Sequence, residues 1–183
     1  DGQPRAHAAR IDLGATTLDA WAPDVATDSG TTTVNAIVVS GGAVYLGGNF
    51  TQVGGAGHTS VAKVDDTNGT VDNGWSADTS NSSGTGSVSS MVVAPDGDLI
   101  LGGTFTAINS ASRFGLAKIG TDGTLRRAWN WTSSGLTVTQ LALDGSQVYV
   151  AGGGVLSSPL YQRGGAARVD AATGALDATW QVN

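Results

Sequence analysis

Short apolar runs alternate along this chain with clusters of Gly, Asp, Asn, Ser and Thr, the pattern of many short strands joined by tight turns. The clearest stretch is residues 34–75. It opens with Val34-Asn35-Ala36-Ile37-Val38-Val39, a largely apolar run that predicts an inner strand buried on both faces. Ser40-Gly41-Gly42 turns the chain, residues 44–46 return, and Gly47-Gly48 ends that strand where a side chain would obstruct a bend or a close backbone approach. After a loop over residues 49–57, Ser60-Val61-Ala62-Lys63-Val64 alternates as a half-buried strand should. Asp66-Thr67-Asn68-Gly69 reads as a hairpin turn, since Asn-Gly favours positive φ, and residues 71–75 close a unit of four strands.

That unit repeats. Val44-Tyr45-Leu46-Gly47-Gly48-Asn49-Phe50-Thr51 returns as Leu99-Ile100-Leu101-Gly102-Gly103-Thr104-Phe105-Thr106 and, in altered form, as Val148-Tyr149-Val150-Ala151-Gly152-Gly153-Gly154. Its second half occurs four times, ending at Trp21, Trp75, Trp129 and Trp180, with intervals of 54, 54 and 51 residues. The divisions that follow are a half unit and polar connector over 1–33, then full units over 34–87, 88–137 and 138–183. Four strands per repeat of about fifty residues is the plan of a β-propeller blade. The fold class is therefore all-β, and the chain reads as one partial propeller of about three and a half blades. The half unit lacks its two opening strands, which leaves strand edges exposed, and exposed edges template association. Either further chain or other subunits would complete the ring. Simple dimerisation supplies the missing strand pair from neither copy, so a fragment of a longer propeller is the favoured expectation.

Composition supports folding and narrows the partners. With 28 Gly, 40% hydrophobic and 13% charged residues, the chain is too apolar for disorder. A formal charge of −6 gives no electrostatic reason to approach nucleic acid or an anionic membrane. No apolar run approaches the roughly 18 residues of a membrane span, and no signal peptide is legible. The start at Asp1 reads as a mature or excised chain. The absence of Cys removes disulfides and thiolate chemistry.

The recurring order of a V-Y-L-G-G-x-F-T segment, a basic residue, an A-K-V-D segment, a T-G-x-L-D turn and a Trp resembles the delta-60-repeat β-propeller family over essentially the whole chain. That resemblance implies a large secreted or surface bacterial protein, set beside adhesive or carbohydrate-related modules and without assigned activity. The third unit departs from the pattern, because Gly154-Val155-Leu156 replaces the Phe-Thr pair, and a loop of different shape is expected there. The hairpin D-A-A-T-G-A-L-D-A-T-W is also similar to pyrroloquinoline-quinone-type propeller repeats.

Candidate chemistry is sparse. Trp21, Trp75, Trp129 and Trp180 could form a sugar-stacking row, but a position that every unit needs points to packing between units. The Gly pairs Gly47-Gly48, Gly102-Gly103 and Gly152-Gly153 are read as structural for the same reason. Trp131 stands outside the repeat and is the aromatic left for a ligand. A basic residue stands six positions before the strand-ending Val or Ile in each copy: Arg5, His58, Arg113 and Arg163. These could gather an anionic glycan; the structural alternative is pairing with Asp19, Asp72 or Asp177, or capping of carbonyls. Arg126 stands where the second unit would carry that Asp, so the pairing cannot be uniform. His7 and His58 are not equivalent, which argues against a two-His metal site. Asp65, Asp66, Asn68 and Asp72 offer oxygens for calcium, yet the spacing is ordinary turn chemistry, and no metal or cofactor is expected. Asn49, Asn68, Asn81 and Asn130 begin glycosylation sequons. No nucleophile elbow occurs and no acid pair stands out. The sequence thus favours a non-enzymatic scaffold, extracellular or at the cell surface, with a protein or carbohydrate partner. The rivals are a propeller segment of a secreted polysaccharide-acting enzyme and a self-assembling surface array.

Overall fold

A computed structural model describes residues 4–131, 135–157 and 162–180, without the side chains of 155–157, 162 and 163. All regular structure among the described residues is β. The N-terminal half unit carries β1 (Ile11–Asp12) and β2 (Thr17–Leu18), followed by the connector strand β3 (Val25–Ala26). The first full unit holds β4 (Thr33–Ser40), β5 (Ala43–Asn49), β6 (Gln52–Val53), β7 (Ala56–Gly57) and β8 (Val61–Asp65). The second holds β9 (Thr79–Asn81), β10 (Gly84–Thr85), β11 (Val88–Val93), β12 (Leu99–Gly103), β13 (Ala107–Ile108), β14 (Ala111–Ser112) and β15 (Leu116–Ile119). The third holds β16 (Thr137–Asp144), β17 (Gln147–Ser157) and β18 (Gln162–Asp170).

Each full unit is a three-stranded antiparallel sheet, in the orders β4-β5-β8, β11-β12-β15 and β16-β17-β18. The expected fourth strand shrinks to one bridge per unit, Val64 to Val71, Ile119 to Leu125 and Val169 to Leu176. The cause is local. Asp72 folds its carboxylate onto the Gly74 amide at 3.0 Å, and the Trp75 amide bonds back to the Asp72 carbonyl at 3.1 Å, so the chain turns away from the ladder at once.

The small strands form a second tier. Connector strand β3 pairs with β6 of the hairpin β6-β7, and β9 pairs with β13 of the hairpin β13-β14. Phe50 and Phe105, 0% and 1% exposed, anchor these hairpins against the unit sheets. In the third unit, where the Phe-Thr pair is missing, β17 and β18 instead run on as one long hairpin, with Val155, Leu156 and Ser157 opposite Gly164, Arg163 and Gln162. The expected change of loop shape is thus an extension of the sheet.

Apolar residues collect into three clusters, each shared between neighbouring units. Val44, Leu46, Ala62 and Val64 pack with Trp21 of the half unit. Tyr45 and Val61 pack with Met91, Leu99, Leu101 and Ile119 of the second unit. Ile100 and Leu116 pack with Leu141, Val148, Val150 and Val169 of the third. Each fully buried aliphatic side chain contributes about 1.5–3 kcal/mol, so the joints between units are the hydrophobic core.

The Gly pairs shape these joints. A Cβ on Gly47 would lie 2.8 Å from Val88 Cγ1, and one on Gly102 would collide with Val138, so the first Gly lets the next unit's inner strand approach. A Cβ on Gly48, Gly103 or Gly152 would strike the carbonyl of Thr33, Ser87 or Thr137, where a register shift bulges the inner strand. The reading of Gly152-Gly153 as the third pair is therefore corrected by one residue: Ala151 takes the place of the first Gly, Gly152 that of the second, and Gly153 has open space around it. Strand β4 also corrects an expectation. It is not buried on both faces, since Ile37 and Val39 are 50% and 65% exposed.

Candidate functional site

Three of the four recurring Trp serve one geometry. Trp21, Trp75 and Trp129 are 2–3% exposed, and the indole N–H of each donates to the carbonyl that ends the third strand of the following unit. Trp21 reaches Asp65 at 2.9 Å, Trp75 reaches Gly120 at 3.4 Å and Trp129 reaches Asp170 at 3.4 Å. Their faces are consumed by packing. Trp180 is only partly buried and meets Tyr149 edge-on at 5.6 Å, the counterpart of the Tyr45–Trp75 contact at 5.5 Å that the second unit covers. Trp131 does not offer a free face: it is 5% exposed, within the cluster that includes Leu136 and Val138.

The basic positions also turn inward. Arg5 donates from Nη2 to the Asp19 carbonyl at 2.7 Å, and Arg113 does the same to the Arg127 carbonyl at 3.1 Å. His58 Nε2 lies 3.4 Å from Asn73 Oδ1. Each of Asp19, Asn73 and Arg127 stands two places before a unit-ending Trp, so the basic side chain holds the turn that presents that Trp. Burial, reinforced by Arg127, lowers the pKa of Arg113. His58 and Arg113 are 3% and 7% exposed, a poor arrangement for gathering an anionic glycan. The Arg163 side chain lies outside the described residues.

The closing-strand carboxylates pair instead with a cation on the third strand. Asp19 accepts from Arg10 at 2.9 Å, Asp72 from Lys63 at 2.8 Å and Asp177 from Arg168 Nε at 2.9 Å. All three titrate below the ordinary carboxylate range: Asp19 through the Trp21 amide and then Arg10, Asp72 through Lys63, and Asp177 through the Thr179 hydroxyl and then Arg168. In the second unit the charges are exchanged. Arg126 takes the place of that carboxylate and binds Asp98 through Nε at 2.7 Å and Nη2 at 2.9 Å. Lys118, whose side chain is 3% exposed, pairs with Asp96 and donates to the Ala171 carbonyl of the next unit at 2.9 Å. Sequence reasoning saw Arg126 as an exception; Asp98, directly after the turn at residues 95–97, was the compensating signal.

The oxygens considered for calcium are engaged in turns. Asp65 accepts from the Thr67 and Asn68 amides at 2.9 Å each, and Asn68 accepts from the Thr70 amide at 2.8 Å. Asp65, Asn68 and Asp72 do line one open cleft, but the Lys63 ammonium lies in it. No group of three metal-ligating side chains occurs among the described residues. Asn68 is exposed; Asn49 and Asn81 are half-buried, with amide groups bonded to the Thr31 carbonyl and the Ser83 amide.

What sequence reasoning missed is exposed apolar surface on the half unit and on β4. The large apolar side chains that stand exposed among the described residues are Ile11, Leu13, Ile37, Val39 and Phe114, and the first four belong to β1, its turn and β4. Register makes Ile11 the equivalent of Val64, Ile119 and Val169, all 0% exposed, against 61% for Ile11. Ile37 is likewise equivalent to Met91 and Leu141, which are 5% and 4% exposed. The signal was available in the missing opening strands of the half unit.

The profile of a β-propeller domain of unknown function, DUF5122, matches residues 94–125. This segment, from the turn before β12 to the bridge after β15, is a propeller repeat of the delta-60-repeat type. No curated protein matches the chain.

Proposed function

We propose that the chain is a partial propeller of about three and a half blades serving as a non-enzymatic extracellular scaffold that binds or assembles with a protein or carbohydrate partner. The observation that supports this reading is the apolar rim of Ile37 and Val39 on β4, on the sheet face that carries Val44 and Leu46, since exposed apolar surface marks interaction sites. The recurring polar side chains, by contrast, are engaged in holding turns and joints. The repeat resemblance supports an extracellular or surface location.

A polysaccharide-acting enzyme calls for a carboxylate raised by its surroundings to act as general acid. The described carboxylates with a clear shift, Asp19, Asp72, Asp96, Asp122, Asp170 and Asp177, all move downward. A self-assembling array would use the same rim. Incubating the chain with a polysaccharide panel while recording both binding and reducing-end release separates these readings, with light scattering over a concentration range alongside. Binding or association without release is the expected result; release that survives repurification would replace the scaffold with an enzyme.

A further inference from the structure

Recurrence assigns most basic side chains to structure, and Arg127 stands apart. All other described Lys and Arg side chains donate to carbonyls or carboxylates. Arg127 is exposed, and its guanidinium has neither hydrogen bond nor ion pair among the described residues. Its place, two before the unit-ending Trp, is held by Asp19, Asn73 and Ala178 in the other copies, so packing between units does not call for an Arg there. Its charge also stands near enough to the buried Arg113 guanidinium to lower that group's pKa, and Arg113 Nε is buried without a partner. An anion relieves two cations that repel each other.

Arg127 lines an open cleft of about 340 Å³ between the β13-β14 hairpin and the closing turn of the second unit. Ile108, Ala111 and Leu125 give the cleft aliphatic walls, with Asn109 and Thr124 beside them. The two sides are tied together by the protein's own bonds. Arg113 donates from Nη1 to the Ser112 carbonyl at 2.7 Å and from Nη2 to the Arg127 carbonyl at 3.1 Å, and Asn109 Nδ2 donates to the Ser76 carbonyl at 2.9 Å. A site formed in advance loses less on binding.

We propose that this cleft binds a carboxylate-bearing sugar, a uronate, with Arg127 as the partner of the carboxylate; the proposal rests on the scaffold reading above and names its ligand class. The guanidinium fork takes both carboxylate oxygens, the C–H face of the ring lies against Leu125 and Ala111, and the hydroxyls stay in the open mouth. A space walled by one hairpin and one turn holds a ring and is too short for an extended peptide segment. The formal charge of −6 repels a polyanion, so a glycan with isolated uronates fits better than a densely acidic one.

NMR titration of the isotope-labelled chain with D-glucuronate, with D-glucose, benzoate and a glutamate-containing peptide in parallel, tests this. Glucuronate should shift the amide signals of residues 108–111 and 123–127. Glucose should bind at least about tenfold more weakly, and Arg127→Gln should weaken glucuronate binding by a similar factor. The thermal midpoint of Arg127→Gln should not fall, since the side chain holds nothing and repels Arg113, so a loss of binding is not a loss of fold. Absence of shifts, shifts elsewhere, benzoate or the peptide binding as tightly as glucuronate, or binding indifferent to Arg127→Gln would each overturn the proposal. A polysaccharide that binds the Arg127→Gln variant as well as the unaltered chain would sink this inference alone and leave the scaffold reading standing.

Discussion

At the scale of single residues, charges in this chain hold turns and joints. The exchange in the second unit is the sharpest case: Arg126 replaces an acidic residue, and Asp98, with a side chain 10% exposed, receives its guanidinium bidentately. Removing Asp98 leaves Arg126 only the longer 3.9 Å pair with Asp122 and the Thr124 hydroxyl, and takes a carboxylate from beside the buried Lys118. Asp98→Ala should therefore cost about 2 kcal/mol in denaturant unfolding, whereas Asp72→Ala, at a pair open to solvent, should cost less than about 1 kcal/mol. The acid limb follows from the same pairs. Asp19, Asp72 and Asp177 have folded-state pKa values below the ordinary 3.8, so their stabilisation is complete above that value and fades as pH falls through the lower folded values. The thermal midpoint should stay level from neutral pH to about 5 and drop below about 4. Asp177→Asn should flatten that drop, and a midpoint indifferent to acid would contradict these pairings.

At the scale of elements, glycine and bulge set how close neighbouring units come. Gly102 admits Val138 and Leu141 of the next inner strand, whereas Gly153 has open space and ordinary φ. Gly102→Val should destabilise by several kcal/mol or prevent folding, through overpacking at a joint. Gly153→Ala should be neutral within about 0.5 kcal/mol in the same melt. Much of this was legible in the sequence. Apolar alternation and turn residues located the sheets, and the Trp interval located the joints. The one-residue offset at Gly152 was legible in the aligned segments, where Ala151 falls opposite Gly47, but three successive glycines drew the pair one residue too far; the bulge opposite Gly152 shows which Gly is needed. The burial of Trp131 was hidden too, since its surroundings come from β16, beyond its own local pattern.

At the scale of the whole molecule, stacked units bury one face of each sheet against the next, and repetition makes every departure informative. Ile11 and Ile37 look like ordinary core residues in the sequence. Only comparison with Val64, Ile119, Met91 and Leu141 reveals that their cover is missing. What holds the molecule together is the joint between units, pinned by the recurring indoles. Hydrogen exchange of the Trp75→Phe variant beside the unaltered chain tests this most directly, because Trp75 packs in the cluster shared by the first and second units and donates to the Gly120 carbonyl. Faster exchange centred on β5, β8, β12 and β15 is the predicted result. Unchanged exchange in those strands would contradict it.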